Sequence, residues 1–448
     1  MSGCEELERN IVAAGFCSGC GACVAVCPPA CLAMRLSGHG ELAPVDTGGC
    51  TSCGACLRVC PFAAGNPDTT HLAGARFAGI ADMRHDGATG YYLHGFYGHR
   101  RDDDARRRAS SGGLCTWLLE ELLRRDIVDA VLLVAPVTGE ERCFAYQAVT
   151  TPDGVRSAAR SAYYPVDAAP ALRLALEQPG RYALVGLPCV LRAVELLKAS
   201  RPSLRNRVVV TLGLVCGQLK SVHYTRYAAA LAGLREPLVA VDYREKQPGE
   251  RAGNFFHAFH GAGGNAARIA FSDVANVWVN DWFKVHACNA CDDIFAECAD
   301  ATLMDAWLPA YQDDGRGANL LLARNPRLIR LLEDGAAAGA IHLDPIDIAQ
   351  VIASQRGVVE NKRLGTACRR AAGMSSPRPA RFAVPSPRGV RAWCRRWLAA
   401  TIYRCKYRIN LLTRGAESHV LDRAVRRAVA RETFMIRLAR RALGWFSQ

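Results

Sequence analysis

No apolar run of about eighteen residues occurs anywhere in the chain, so the sequence predicts no membrane-spanning helix. The opening MSGCEELERN is acidic and leads into no apolar stretch, so no export signal is expected. Excess charge is also missing from most of the chain. Residues 375–448 hold 17 Lys and Arg against 3 Asp and Glu, which accounts for the whole formal net charge of +14. The body before them is formally neutral, and any electrostatic partner must be met by the tail. There is no solenoid repeat and no recognised nucleic-acid-binding motif, which argues against a nucleic-acid partner. A cytoplasmic location is expected, or one peripheral to the inner face of the membrane.

Cysteine, by contrast, is plentiful: the 448 residues contain 20. Without export, disulfides are not expected, and clustered cysteines point to metal or redox chemistry. Cys17, Cys20, Cys23 and Cys27, with Pro28 next, follow C-x2-C-x2-C-x3-C-P. Cys50, Cys53, Cys56 and Cys60, with Pro61 next, repeat it. Three cysteines at this spacing wrap a tight loop around one face of a cubane, and Gly19, Gly21 and Gly54 let backbone amides approach the sulfurs. The fourth cysteine leads away and, in paired runs, ligates the other cluster. The expected sets are therefore Cys17, Cys20, Cys23 and Cys60 for one 4Fe-4S cluster, and Cys50, Cys53, Cys56 and Cys27 for the second. Zinc knuckles would use only paired cysteines and leave both Cys-Pro steps unexplained. Cys31 is read as a packing residue, since a free cysteine packs as a small hydrophobe. Residues 1–72 are expected to form an α+β ferredoxin-like iron-sulfur domain that depends on metal to fold.

From about residue 110 the texture changes. GGLCTWLLEELLRRD carries an apolar helical face of Leu114, Trp117, Leu118 and Leu122. IVDAVLLVAPV, RYALVGL and RVVVTLGLV read as buried strands, separated by helices at PCVLRAVELLKAS and SVHYTRYAAALAG. That alternation predicts an α/β domain over 73–371. PLVAVDYREK and NFFHAFH read as further strands, an antiparallel addition. Four prolines in 372–390 mark a linker, and a basic α-helical tail follows over 391–448. Ser110, Ser111, Gly112 and Gly113 stand just before a helix, where small residues can bring donors to a cofactor phosphate; a plain N-cap is the alternative.

Four further stretches accompany that segment: GLPCVLRAVELL, GLVCGQLKS, VDYREKQPGE and CNACDDIFAECADATLMDAW. In this order and spacing the chain resembles the beta subunits of coenzyme F420-reducing hydrogenases and F420-dependent dehydrogenases. It is most similar to bacterial relatives with a two-cluster ferredoxin domain fused in front. The resemblance spans about residues 10–365. It implies an FAD-binding α/β domain fed by iron-sulfur clusters, a flavin contact at Ser111, Gly112 and Gly113, and a deazaflavin coenzyme or another organic molecule as substrate. Ferredoxin or another redox protein would be the partner. A non-catalytic electron-transfer subunit, wiring a partner or membrane-associated complex and linked to polysaccharide biosynthesis, is the competing reading.

Cys189 and Cys216 close neighbouring strands, where sites assemble in α/β sheets, and Cys288 and Cys291 add a CxxC loop. These four match family positions for a third 4Fe-4S cluster; buried thiols beside a zinc-binding CxxC are the alternative. Cys298 is left out, and Cys368, Cys394 and Cys405 lack cluster spacing. Three positions depart from the family: Ala162 replaces a lysine although Tyr163 remains, Met304 replaces a glycine, and Leu187 stands in GLPC. They bear on the substrate, F420 included. His257 and His260 are expected on opposite faces of a strand, as packing residues, while His286 could tune a cluster or relay a proton. The tail mixes arginines with Trp393, Trp397, Tyr403, Tyr407, Phe434 and Trp445. It would pack on the body or dock on anionic lipid or an acidic protein.

Overall fold

The computed structural model describes residues 2–139, 142–371, 373–374, 390–414, 421 and 423–445. Apart from 373, 374 and 390, the expected linker lies outside the described residues. Each N-terminal cysteine run leads into a short helix, Ala22–Val26 or Ala55–Arg58. The residues ahead of them, Gly21 and Gly54, have φ of 80° and 66°, a left-handed conformation that glycine adopts without strain. Between the two runs lies a single antiparallel hairpin, β1 (Leu32–Leu36) with β2 (Leu42–Asp46). A smaller hairpin, β3 (Arg84–Asp86) with β4 (Gly90–Tyr92), opens the body.

The main sheet is built from β5 (His94–Arg100), β6 (Ala130–Pro136), β7 (Phe144–Val149), β8 (Tyr182–Gly186) and β9 (Val208–Leu214). After an excursion through β10 (Leu238–Lys246), β11 (Phe255–Gly261) and β12 (Ala266–Ala270), the chain returns to it as β13 (Ala301–Asp305), β14 (Asn319–Ala323) and β15 (Ile341–Pro345). Its order is β15-β5-β14-β13-β9-β8-β6-β7. The middle strands β13, β9, β8 and β6 are parallel, and the flanks are antiparallel. The three apolar runs read as strands in the sequence become β6, β8 and β9, side by side under helices on both faces. Helix Leu114–Arg124 buries the expected face, with Leu114, Leu118 and Leu122 inaccessible. The segments PLVAVDYREK and NFFHAFH do not extend this sheet. With β12 they form a separate three-stranded antiparallel sheet.

Residues 1–72 do not stand apart from the body. Ile11, Phe16, Val24 and Val59 continue into one apolar cluster with Leu172, Leu184, Val190 and Leu197. This segment, expected to need metal to fold, also buries its apolar side chains against helices Ala169–Glu177 and Pro188–Ser200. The contact is close: a Cβ on Gly21 would lie 2.7 Å from the Ala169 nitrogen. At the far end, helices Val390–Arg414 and Arg423–Trp445 pair around Leu398, Ile402, Ile409, Val429 and Ile436. No described helix is long and apolar enough to cross a membrane.

Candidate functional site

The cysteines singled out in the sequence fall into three groups. In the first, the Cys17 thiol is pushed up by burial and further by Cys20 and Cys60. Cys23 is raised by burial and by the same neighbours together with Cys17. The four expected sulfurs thus lie within electrostatic reach of one another, although the runs that supply them are far apart in sequence. The amide of Gly19 donates to Cys17 Sγ at 3.4 Å, the kind of bond that stabilises a cluster thiolate.

The second group surrounds a small cavity lined by Cys27, Cys50, Cys53 and Cys56 and also by Cys4 and Cys31. The sulfurs of Cys4, Cys31 and Cys50 all lie within 4.8 Å of one another. Cys31 Sγ is 3.4 Å from Cys27 Sγ and 3.6 Å from Cys4 Sγ. The Ser52 amide, aided by the Cys4 thiol, draws the Cys50 thiol down to about 7. Cys31 is buried as a packing residue would be, yet it meets other sulfurs rather than hydrocarbon alone.

The third group assembles at the ends of the central strands. Cys189 opens helix Pro188–Ser200 after β8, Cys216 follows β9, and Cys288 sits in the helical turn His286–Asn289 ahead of Cys291. Burial pushes the Cys189 thiol far up, and its charged neighbours are, in order, Cys20, Cys216, Cys291 and Cys288. Leu219 N–H donates to Cys288 Sγ at 3.3 Å. Lys362, on helix Arg356–Ala371, donates from Nζ to Cys291 Sγ at 2.9 Å. Burial alone would lower the Lys362 pKa, but Cys291, Cys216 and Cys288 hold it well above the usual lysine range. This buried cation escaped the sequence reading because it lies 71 residues beyond Cys291 and belongs to no motif.

Buried thiols with raised pKa values keep their protons until a metal displaces them. Soft sulfur donors in convergent sets, with amide donors and a compensating lysine, suit iron-sulfur clusters. Cys298 lies outside these sets: its sulfur faces the Thr69 carbonyl at 4.0 Å, and its own carbonyl accepts from Arg76 at 2.7 Å.

The Ser-Gly segment is held against the start of β14. Ser111 Oγ donates to the Ala318 carbonyl at 2.7 Å, and a Cβ on Gly112 would lie 2.8 Å from the Asn319 nitrogen. Gly113, with φ of 84°, caps helix Leu114–Arg124. Lys246 pins the loop by donating to the carbonyls of Ser111, Arg106 and Arg316 at 2.8, 3.0 and 2.6 Å. Burial draws its pKa down to about 7. Lys246 also lines a cleft of about 500 Å3, together with Arg107, Gln247, Asp314 and Arg316. The lining also includes Glu250 and Asp313, so three basic side chains face three acidic ones, and Lys246 ties this cleft to the Ser-Gly loop through the Ser111 carbonyl.

Two other motif segments meet directly, because Nη1 of Arg244 in β10 donates to both carboxylate oxygens of Asp305 in β13, at 3.0 and 2.9 Å. Met304 fills an apolar core position in β13. Tyr163 packs at tilted angles among the rings of Tyr243, His257 and Trp278. His257 is buried, held by the Tyr243 carbonyl and the Tyr224 hydroxyl at 2.8 Å each, and burial lowers its pKa to about 4; His260 is exposed. His286 packs over Gly15, where a Cβ would lie 2.6 Å from its ring. Burial lowers its pKa to about 4.

Residues 96–173 match the family model for the N-terminal part of the coenzyme F420 hydrogenase/dehydrogenase beta subunit, and residues 180–349 match the model for the C terminus of that same subunit. Residues 16–64 match the 4Fe-4S dicluster domain. Among curated proteins none matches the chain. A solved chain described as the xenon-derivatised F420-reducing [NiFe] hydrogenase complex from Methanosarcina barkeri superposes with a TM-score of 0.50 at 15% identity. That superposition covers 67% of this chain and 100% of the other, and at such identity it speaks for the fold. The cysteine sites, the sheet that carries them and both beta-subunit matches agree: the chain belongs to the coenzyme F420 hydrogenase/dehydrogenase beta subunit family and carries a 4Fe-4S dicluster domain at its N-terminal end.

Proposed function

We propose that this protein is an iron-sulfur flavoprotein oxidoreductase, exchanging electrons with ferredoxin or a similar donor and with an organic substrate or deazaflavin-type coenzyme. When bound, 4Fe-4S clusters would supply one-electron transfer and FAD the conversion to two-electron chemistry. Cys17, Cys20, Cys23 and Cys60 would hold the first cluster, Cys27, Cys50, Cys53 and Cys56 the second, and Cys189, Cys216, Cys288 and Cys291 a third. The observation that carries this reading is the position of Cys20, a ligand of the first set and the foremost charged neighbour of Cys189 in the third. Residues from the N-terminal domain and from the body would thus bring the first and third ligand sets next to each other.

The protein's own groups prepare each site. The amides of Gly19 and Leu219 donate to Cys17 Sγ and Cys288 Sγ, and the buried Lys362 would offset thiolate charge at Cys291. Lys246 orders the loop of Ser110, Ser111, Gly112 and Gly113 beside the cleft, where FAD phosphates would bind. The test is turnover of anaerobically purified protein. Bound FAD should be bleached by dithionite and reoxidised by a deazaflavin or another organic acceptor. Protein that retains its clusters but binds no flavin would instead support an electron-transfer subunit. In either case the tail would dock the protein on an anionic membrane surface, because Trp393 and Trp397 are exposed among arginines.

A further inference from the structure

We infer that Cys4 and Cys31 belong to the second iron-sulfur site as reserve ligands, able to take over the iron corners held by Cys50 and Cys27. The inference rests on the assignment of Cys27, Cys50, Cys53 and Cys56 as the primary set. Six cysteines share that cavity, two more than a four-iron cluster uses. The extra pair is the more deeply buried: Cys4 and Cys31 are 4% and 2% accessible, whereas Cys53 is exposed. Each extra thiol adjoins a different primary ligand. Cys31 Sγ touches Cys27 Sγ at 3.4 Å, and Cys4 Sγ lies within 4.8 Å of Cys50 Sγ.

Both thiols are placed by backbone structure rather than by the metal. Cys4 lies in the helix Gly3–Leu7, whose start is closed by a capping box of Ser2 and Glu5. Gly3 in turn packs on Gly54, and its carbonyl accepts from Cys56 Sγ at 3.6 Å. Cys31 precedes β1, and its carbonyl accepts from the Thr47 amide at 2.9 Å. Simple packing would be served by any small apolar side chain and gives no reason for three sulfurs within 4.8 Å of one another.

The exchange is balanced and involves no redox change. The iron bond to Cys27 breaks as the bond to Cys31 forms, and the proton of the Cys31 thiol passes to the departing Cys27 thiolate. Cys4 and Cys50 exchange in the same way. A cluster so backed would survive loss or oxidation of Cys27 or Cys50.

The test compares full-length, anaerobically purified Cys31→Ala, Cys27→Ala and the double variant by iron content and by EPR of the reduced protein. Cys31→Ala should keep its full iron. Cys27→Ala should also keep it, with an altered EPR line shape, while the double variant loses about four irons per chain. Equal loss of iron from Cys27→Ala and the double variant would overturn the reserve role. So would a Cys4–Cys31 disulfide found in the cluster-loaded wild type. A wild type lacking the second cluster's signal would overturn the primary assignment as well, which separates the two failures. The signal of the first cluster reports folding in every variant. If Cys27→Ala does not fold, Cys50→Ala and Cys4→Ala/Cys50→Ala read the same exchange at the other corner.

Discussion

Lys362 is a charged side chain placed where no charge should be stable alone. It is buried, and the groups that hold its proton are the sulfurs of Cys291, Cys216 and Cys288. Unit charges about 4 Å apart interact by about 4 kcal/mol at an effective dielectric near 20. One elementary charge moved through 100 mV corresponds to about 2.3 kcal/mol. Replacing Lys362 with Met should therefore lower the midpoint potential of a cluster held by Cys189, Cys216, Cys288 and Cys291 by on the order of 100 mV. An EPR-monitored redox titration reads this directly, with the first two clusters as internal references; an unchanged third potential would remove Lys362 from the site. Lys362 also shows where reading the sequence stops. The ligand spacing of Cys17 to Cys27 and of Cys50 to Cys60 is local and repeats, so it was legible. The lysine is brought to the thiolates only by tertiary packing, as are Cys4 and Cys31.

At the scale of elements, strands β6, β8 and β9 were legible because both of their faces are buried and their apolar runs are continuous. The antiparallel flank of β14, β5 and β15 was not. Its register joins Leu320 to Tyr97 and Leu343 to Gly98, pairings between segments far apart in sequence. The basic tail proves to be two-sided. One face of helix Val390–Arg414 is built into the rest of the chain: Asn410 bridges Asn289 and the Lys284 carbonyl of the body at 2.8 and 2.6 Å, and Arg414 pairs with Glu41 of the N-terminal segment at 3.0 Å. The other face carries Trp393 and Trp397, one turn apart and 58% and 52% exposed, with Arg408 and Leu411 further along the same side. Such a stripe suits insertion of indoles between anionic headgroups that attract the arginines. The full chain should sediment with phosphatidylglycerol-containing vesicles and not with pure phosphatidylcholine. Trp393→Ala/Trp397→Ala should weaken that binding roughly tenfold, given the apolar area two indoles withdraw from water. Equal sedimentation of variant and wild type would contradict the docking face.

For the molecule as a whole, the decisive feature is that the cysteine-rich segment and the α/β body share one apolar core. Composition alone led to the expectation that the first seventy residues need metal to fold, and could not show that they pack on the body. Gly21 lies against Ala169, Ala168 donates to the Cys20 carbonyl at 3.1 Å, and Arg173 donates to the Val24 carbonyl at 3.1 Å. The loop that holds the first set of thiols is thus bonded to the domain that holds the third. An electron path along this continuity requires all three sets to carry metal in the same chain. Iron and flavin content of the anaerobically purified protein, with spin integration of the reduced state, tests it most directly. About 12 irons per chain, in three interacting four-iron clusters, together with one FAD is the predicted result. About 8 irons, with no EPR signal lost on changing Cys189 to Ala, would contradict it.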